Sequence, residues 1–303
     1  MVSDDDTVPE IVARDERRTP RDSGDAVIAE IVASGREVMR KANVAARDVV
    51  AAGCSAPGPL DHKTGVVIQT QNIVGFTNMP IAARLSDGLG VKVFLDRDTC
   101  MAAIAEALIG AARGAKDFVY VTVSTGVGGA IVVGGRMVRG VANTAGELGH
   151  WPVAFQLDAA RDAGDGVPRC KCGSFGCVEA FAAGANLAEQ FGGSGAGDVY
   201  AAADAGDARA RALVVRAERA LANLAVGIVN GLDPSVIVVG GSISEHQPKH
   251  VLDPMRRAIA ERAFKAPAAA VRLVPAALGA DVGMLGAVLE ARERAAGHGE
   301  WFL

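Results

Sequence analysis

The chain has 303 residues, half of them hydrophobic and 22% charged, the composition of a globular protein with length for two modest domains or one large one. Its formal net charge of -4 argues against a nucleic-acid surface, and no run approaches the roughly 20 apolar residues of a membrane-spanning helix. Residues 1–6 are acidic where a secretory signal would be basic and then apolar, so the expected location is the cytoplasm.

Residues 1–22 are polar and irregular. Val27, Ile28, Ile31, Val32, Val38 and Met39 recur at helical spacing and predict a helix over 25–42. A short buried strand over 49–54 runs into Ser55-Ala56-Pro57-Gly58-Pro59, a turn-rich loop. A strand over 65–69, a helix over 80–89, a strand over 91–95 and a helix over 99–112 follow. Apolar runs at 118–123 and 129–133 flank Ser124-Thr125-Gly126-Val127-Gly128 and predict a hairpin, with a further strand over 136–139. Beyond an irregular stretch, 151–176, helices are expected at 179–190 and 207–230, separated by a Gly-rich loop at 191–197. A strand over 236–239, a helix over 254–264, a strand over 271–275 and a helix over 282–295 complete the chain. Strands alternating with helices imply an α/β fold.

Three of the five cysteines, Cys170, Cys172 and Cys177, fall within eight residues. In a reducing compartment such a cluster reads as a metal site before it reads as a disulfide frame, with free thiols or a redox pair as the alternative. Gly173 and Gly176 let the backbone fold around an ion. Zinc takes about four ligands, and His150, which ends Gly146-Glu147-Leu148-Gly149-His150, is the fourth candidate. With all four ligands supplied by protein, the ion is structural. Cys54 and Cys100 lie in apolar runs and read as core thiols.

The Gly-rich loop at Ser124, Thr125, Gly126 and Gly128 can either cradle a phosphate on its N–H groups or be a plain turn. Gly240 and Gly241, after the strand at 236–239, fit the close passage of an adenosine or a tight strand-to-helix turn. Neither a P-loop nor a strand-bound G-x-G-x-x-G fingerprint occurs. Asp98 follows a strand, where α/β proteins collect ligands, and can equally cap the next helix. Glu147 and Glu179 flank the metal ligands; an ion there would orient both toward sugar hydroxyls, whereas without it they are surface carboxylates.

Glu147-Leu148-Gly149-His150, followed by Cys170-Lys171-Cys172-Gly173-Ser174-Phe175-Gly176-Cys177-Val178-Glu179, resembles the paired E-x-G-H and C-x-C-G-x-x-G-C-x-E signatures of the ROK (repressor, open reading frame, kinase) family. Pro57-Gly58-Pro59, Asn72-Ile73-Val74-Gly75, Ser124–Gly129, Leu232–Gly241 and Gly283–Ala287 resemble further family segments, so the likeness covers about 18–295. The resemblance implies two RNase H-like domains of the actin/hexokinase type with an interdomain cleft. It divides the chain into 1–112 plus 281–303, and 113–280 with the zinc site. It implies an ATP-dependent sugar kinase, glucokinase-like, acting on a hexose or an N-acetylhexosamine, with Mg²⁺ beside ATP and Zn²⁺ as a structural ion. Asp98 then resembles the catalytic base; Asn72, Glu147, His150 and Glu179 the sugar contacts; Ser124, Thr125, Gly126 and Gly128 the phosphate loop; and Gly240 and Gly241 the adenosine site. The implied partners are sugar, ATP and a second copy of the chain in a homodimer, with no nucleic acid and no membrane.

Three departures qualify that likeness. The family opens with a strand, a D-x-G-G-T phosphate loop and a return strand, and here Val8-Pro9-Glu10-Ile11-Val12-Ala13 already resembles the end of the return strand. The expected consequence is an exposed edge on the first sheet. A start set too late explains this while the rest of the chain remains a kinase; a catalytically silent sugar-binding homologue is the other reading. Arg97-Asp98-Thr99-Cys100 stands where the family has Asn-Asp-x-Asn, which replaces an asparagine that touches the sugar and weakens the case for glucose. Nineteen residues separate His150 from Cys170, an insertion between metal ligands.

Overall fold

The computed structural model describes residues 9–69, 75–154 and 167–298. It is an α/β protein of two compact units: Met1–Ile109, Arg139–Thr144 and Asp281–Leu303 form the first, and Gly110–Val138 and Ala145–Ala280 the second.

In the first unit, helix α1 (Gly24–Lys41) starts where the Ser23 hydroxyl accepts the Ala26 N–H at 3.1 Å. Such a cap stabilises a helix by about 1 kcal/mol. Strand β1 (Ala52–Ala56) pairs in parallel with β5 (Val93–Arg97), in register Cys54↔Leu95. Between them lie an antiparallel meander of β2 (Leu60–Asp61), β3 (Val66–Gln69) and β4 (Thr77–Met79), and helix α2 (Ile81–Leu89). Helix α3 (Asp98–Ile109) follows β5 without a connecting residue. The core gathers Val27, Ile28, Leu60, Val67, Ile81, Leu85 and Leu95.

Among the described residues β1 has one partner strand. A cavity of about 810 Å³ adjoins β1 and is lined by α1, α2 and the segment Asp15 to Pro20. Its floor is apolar, as for a sheet face built to be covered.

The second unit carries a five-stranded sheet in the order β10-β9-β6-β7-β8, built from β6 (Phe118–Val123), β7 (Val127–Val133), β8 (Arg136–Met137), β9 (Val236–Gly240) and β10 (Arg272–Pro275). The strands β10, β9 and β6 are parallel, and β6-β7-β8 antiparallel. All five residues of β9 are buried, the continuous apolar run of a parallel strand covered on both faces. Each buried valine there contributes about 1.5–3 kcal/mol.

Helices α4 (Val178–Ala182), α5 (Gly184–Phe191), α6 (Ala196–Asp204), α7 (Ala208–Leu232), α8 (Ser242–His246), α9 (Pro248–Arg262) and α10 (Lys265–Ala270) complete this unit. The last helix, α11 (Val282–Ala295), belongs to the first unit and packs on α3 and β1.

Several helices differ from expectation, and the short α8 and α10 were not expected. The helix read over 179–190 is broken at Ala183, whose ψ of 136° is extended. The helix read from 254 begins at Pro248 and runs through Pro254, because Val251, Leu252, Met255 and Ile259 bury one continuous stripe. The Gly-rich stretch read as a loop passes into α6, whose alanines favour a helix and whose Val199, Tyr200 and Ala203 are buried.

Asp96, Glu106 and Glu290 are buried polar residues of the first unit. Burial first, and then the Asp96 charge, push the Glu290 carboxyl up from 4.5 to about 8. The folded chain therefore holds a proton that the unfolded chain has lost between 4.5 and about 8, and this group's contribution to stability falls as pH rises through that window. Glu290→Gln keeps the neutral form at every pH. Its melting temperature is expected to depend less steeply on pH there than that of the wild type, and to exceed it at the alkaline end. An equal slope in the two proteins would contradict this assignment.

Candidate functional site

The second unit brings its metal candidates together. His150 ends a 3-10 turn, Leu148–His150, and Cys177 stands at the N-terminal boundary of α4. Their segments are joined by backbone bonds, Val153 N–H to Gly176 O at 2.8 Å and Val178 N–H to Trp151 O at 3.1 Å. The thiol-bearing turn closes through Cys170 N–H to Ser174 O at 2.7 Å and Gly173 N–H to Cys170 O at 2.9 Å.

One ligand atom each from His150, Cys170, Cys172 and Cys177 lies within 4.8 Å of all the others. The Cys172 and Cys177 sulfurs are 3.7 Å apart, and the Cys170 sulfur is 3.5 Å from His150 Nδ1. Zinc–sulfur bonds of about 2.3 Å set tetrahedral corners about 3.8 Å apart, so these separations and this donor set fit a zinc ion. Nδ1 is the ring nitrogen turned to the sulfurs; Nε2 is left for another partner. Burial, then the Cys172 side chain, push the Cys177 thiol up to about 12. An ion would hold it as thiolate.

The cluster is tied to the Gly-rich hairpin. Glu179 Oε2 accepts the Val127 N–H at 3.2 Å, and its Oε1 lies 4.0 Å from the Cys170 sulfur. A Cβ on Gly149 would overlap the Val127 carbonyl oxygen, so glycine alone lets the His150 turn lie against β7.

The two Gly loops are neighbours at the carboxyl ends of paired strands. Thr122 of β6 pairs with Gly240 of β9. Gly241 has φ +93°, and a Cβ there would stand 2.6 Å from the Val123 carbonyl oxygen. Gly184 and Ala185, which open α5, donate N–H groups to the Ser124 and Thr125 carbonyls at 2.8 and 3.2 Å. This is why the helix breaks at Ala183: its second half starts where it can hold the hairpin loop. Ser124, Thr125, Gly126, Gly128, Gly240 and Gly241 thus share one end of the sheet, the usual ligand end of an α/β fold.

Glu147 is half-buried immediately before the 3-10 turn, and His150 N–H bonds its carbonyl at 3.0 Å.

In the first unit, Asp98 is exposed as the first residue of α3, and its Oδ1 accepts the Thr99 N–H at 2.7 Å. It follows the carboxyl end of β5. The loop Pro57-Gly58-Pro59 leaves the same end of β1, and a Cβ on Gly58 would stand 3.1 Å from Arg97 Cδ. Arg97 itself is buried and directs a guanidinium N–H to the Cys100 sulfur at 3.3 Å. Asn72 lies outside the described residues, as do residues 155–166 of the insertion.

Sequence reasoning passed over one pair. Arg139 donates to both carboxylate oxygens of Asp96 at 2.7 and 2.5 Å, and Asp96 is wholly buried. The available signal was a carboxylate inside the apolar strand Val93-Phe94-Leu95-Asp96.

The ROK family profile matches residues 4–294. A glucokinase of Halalkalibacterium halodurans is 30% identical over 300 residues, covering 92% of this chain and 88% of its own. An N-acetylmannosamine kinase of Escherichia coli is 34% identical over 233 residues, 75% of this chain and 74% of that protein. The crystal structure of a ROK hexokinase from Thermus thermophilus is similar with a TM-score of 0.75 at 34% identity, over 94% of this chain and 92% of that one. No helix among the described residues is long and apolar enough to cross a membrane.

Proposed function

This chain belongs to the ROK family, and from that premise we propose that it is a sugar kinase transferring the γ-phosphoryl group of ATP to a hydroxyl of a hexose or an N-acetylhexosamine. The observation that carries the reading is the Cys₃His cluster, bound through Glu179 to the Gly-rich hairpin. In it the Glu179 carboxylate, beside the candidate metal ligands, accepts an N–H from a loop of the kind that receives phosphates.

Each residue has a role in this account. Asp98 accepts the proton of the attacking hydroxyl. Phosphoryl transfer needs little more from the protein than a positioned nucleophile and charge stabilisation, so one carboxylate suffices. Glu147, Glu179 and His150 Nε2 hydrogen-bond sugar hydroxyls, and Asn72 is a further sugar contact. Ser124, Thr125, Gly126 and Gly128 receive the phosphates; Gly240 and Gly241 admit the adenosine. His150, Cys170, Cys172 and Cys177 would hold a zinc ion, which would tie the His150 turn to the cysteine turn and play a structural part. Mg²⁺ accompanies ATP and neutralises its phosphates.

A catalytically silent sugar-binding protein is the second reading. It is favoured by the flank of β1, which among the described residues has β5 as its one partner strand.

The experiment is ADP release with Mg·ATP across glucose, mannose, N-acetylglucosamine and N-acetylmannosamine. The expected result is release that depends on one class of these sugars. Release equal with and without sugar, or none with any, would contradict the kinase reading.

A further inference from the structure

The segment Arg139–Thr144 groups with the first unit although it lies between β8 and Ala145 of the second. Two side chains hold it there. At its start, Arg139 grips Asp96 through both guanidinium N–H ends. Near its end, Asn143 Nδ2 donates to the Leu60 carbonyl at 2.5 Å. Asn143 has φ 56°, a left-handed conformation that asparagine tolerates, and its N–H closes a turn on the Gly140 carbonyl at 3.3 Å.

The anchoring of Arg139 is asymmetric. Asp96 is fully buried, whereas 17% of the Arg139 side chain is exposed. A buried carboxylate without a counter-charge is strongly destabilising, so Asp96 has a firm demand for this arginine. Glu290, also buried, interacts with the same guanidinium. A bidentate arginine–carboxylate pair also fixes direction, which a lysine cannot reproduce. Asp96 lies in β5, two residues before Asp98. Along the chain, Ala145 is followed two residues later by Glu147.

We propose that Arg139 is a positioning residue: through Asp96 it straps the Arg139–Thr144 segment to the strand that presents Asp98, and its loss lowers turnover beyond what lost stability accounts for. This rests on the reading of Asp98 as the base. The strap fixes the backbone of β5 immediately before Asp98, within the first unit. A displacement of about 1 Å in such a frame costs on the order of 100-fold in rate.

The test compares the wild type with Arg139→Gln, Arg139→Lys and the double variant Asp96→Asn/Arg139→Gln, each read by melting temperature, kcat and amide exchange over residues 140–144. Arg139→Gln is expected to melt lower and to lose about 100-fold in kcat. The double variant removes the buried charge together with its partner, so its melting temperature recovers while kcat stays low and the strap amides exchange fast. Arg139→Lys keeps the charge but not the fork, and is expected to remain slow. Recovery of kcat along with stability in the double variant would reduce Arg139 to a counter-charge and overturn the proposal. So would full activity in Arg139→Gln.

If wild-type protein fails to turn over any sugar, the kinase reading fails separately. Amide exchange over 140–144 then decides the strap, and unchanged exchange in Arg139→Gln would refute it.

Discussion

Asp98→Asn is expected to reduce sugar phosphorylation by about 10²–10⁴-fold, the range supplied by a positioned general base. Asparagine keeps the shape of the side chain and its acceptor for the Thr99 N–H, so the start of α3 should be preserved. The side chain is exposed at the surface of its unit and its loss opens no cavity, so melting temperature and zinc content should stay near wild type. Sugar affinity should change little, because the proposed sugar contacts are other residues. The loss therefore falls on kcat with KM near its wild-type value, the mark of an interaction made in the transition state. Kinetics of purified Asp98→Asn beside the wild type check this. A variant retaining more than about a tenth of the activity would remove Asp98 from the role of base.

Removal of the metal is the second large effect. The described chain offers one cluster of ligands at zinc spacing, so one zinc per chain is expected on elemental analysis. Stripping it with a strong chelator leaves Cys170 and Cys177 as buried thiols and removes the tie between the His150 turn and α4. Metal present at about 1,000 times its dissociation constant stabilises a fold by about 4 kcal/mol, so a clear fall in melting temperature is expected. The second unit keeps its five-stranded core, so the apo protein should melt lower rather than be unfolded.

Sugar affinity should fall with the melting temperature, because Glu179 and His150 lose their common anchor. Cys177→Ser should reproduce both effects, and Cys54→Ser, at a thiol outside the cluster, should lose no zinc. Full zinc occupancy in Cys177→Ser would refute the assignment.

The parts of this molecule that were legible in the sequence are those specified over short distances. Cys170, Cys172 and Cys177 share one turn, and spacing alone grouped them. The apolar runs of β6 and β9 announced buried strands because both faces are covered. What was not legible depends on partners far along the chain. The break at Ala183 is caused by carbonyls of Ser124 and Thr125, about sixty residues earlier, which no local propensity encodes. Pro254 reads locally as a helix start, yet the buried stripe Val251, Leu252, Met255 carries the helix through it. The pair Asp96 and Arg139 is separated by 43 positions, so although Asp96 stands out as a carboxylate in an apolar strand, nothing local names its partner. The adjacency of the two Gly loops likewise follows from the parallel pairing of β6 with β9, which a list of motifs does not contain.

Phosphorus NMR of the protein incubated with Mg·ATP and its preferred sugar distinguishes phosphoryl transfer to the sugar from hydrolysis and from binding alone. The expected result is loss of the γ-phosphorus signal with growth of a sugar phosphomonoester signal in equal amount. Saturable sugar binding with ATP left intact would contradict it and leave a sugar-binding protein without kinase chemistry.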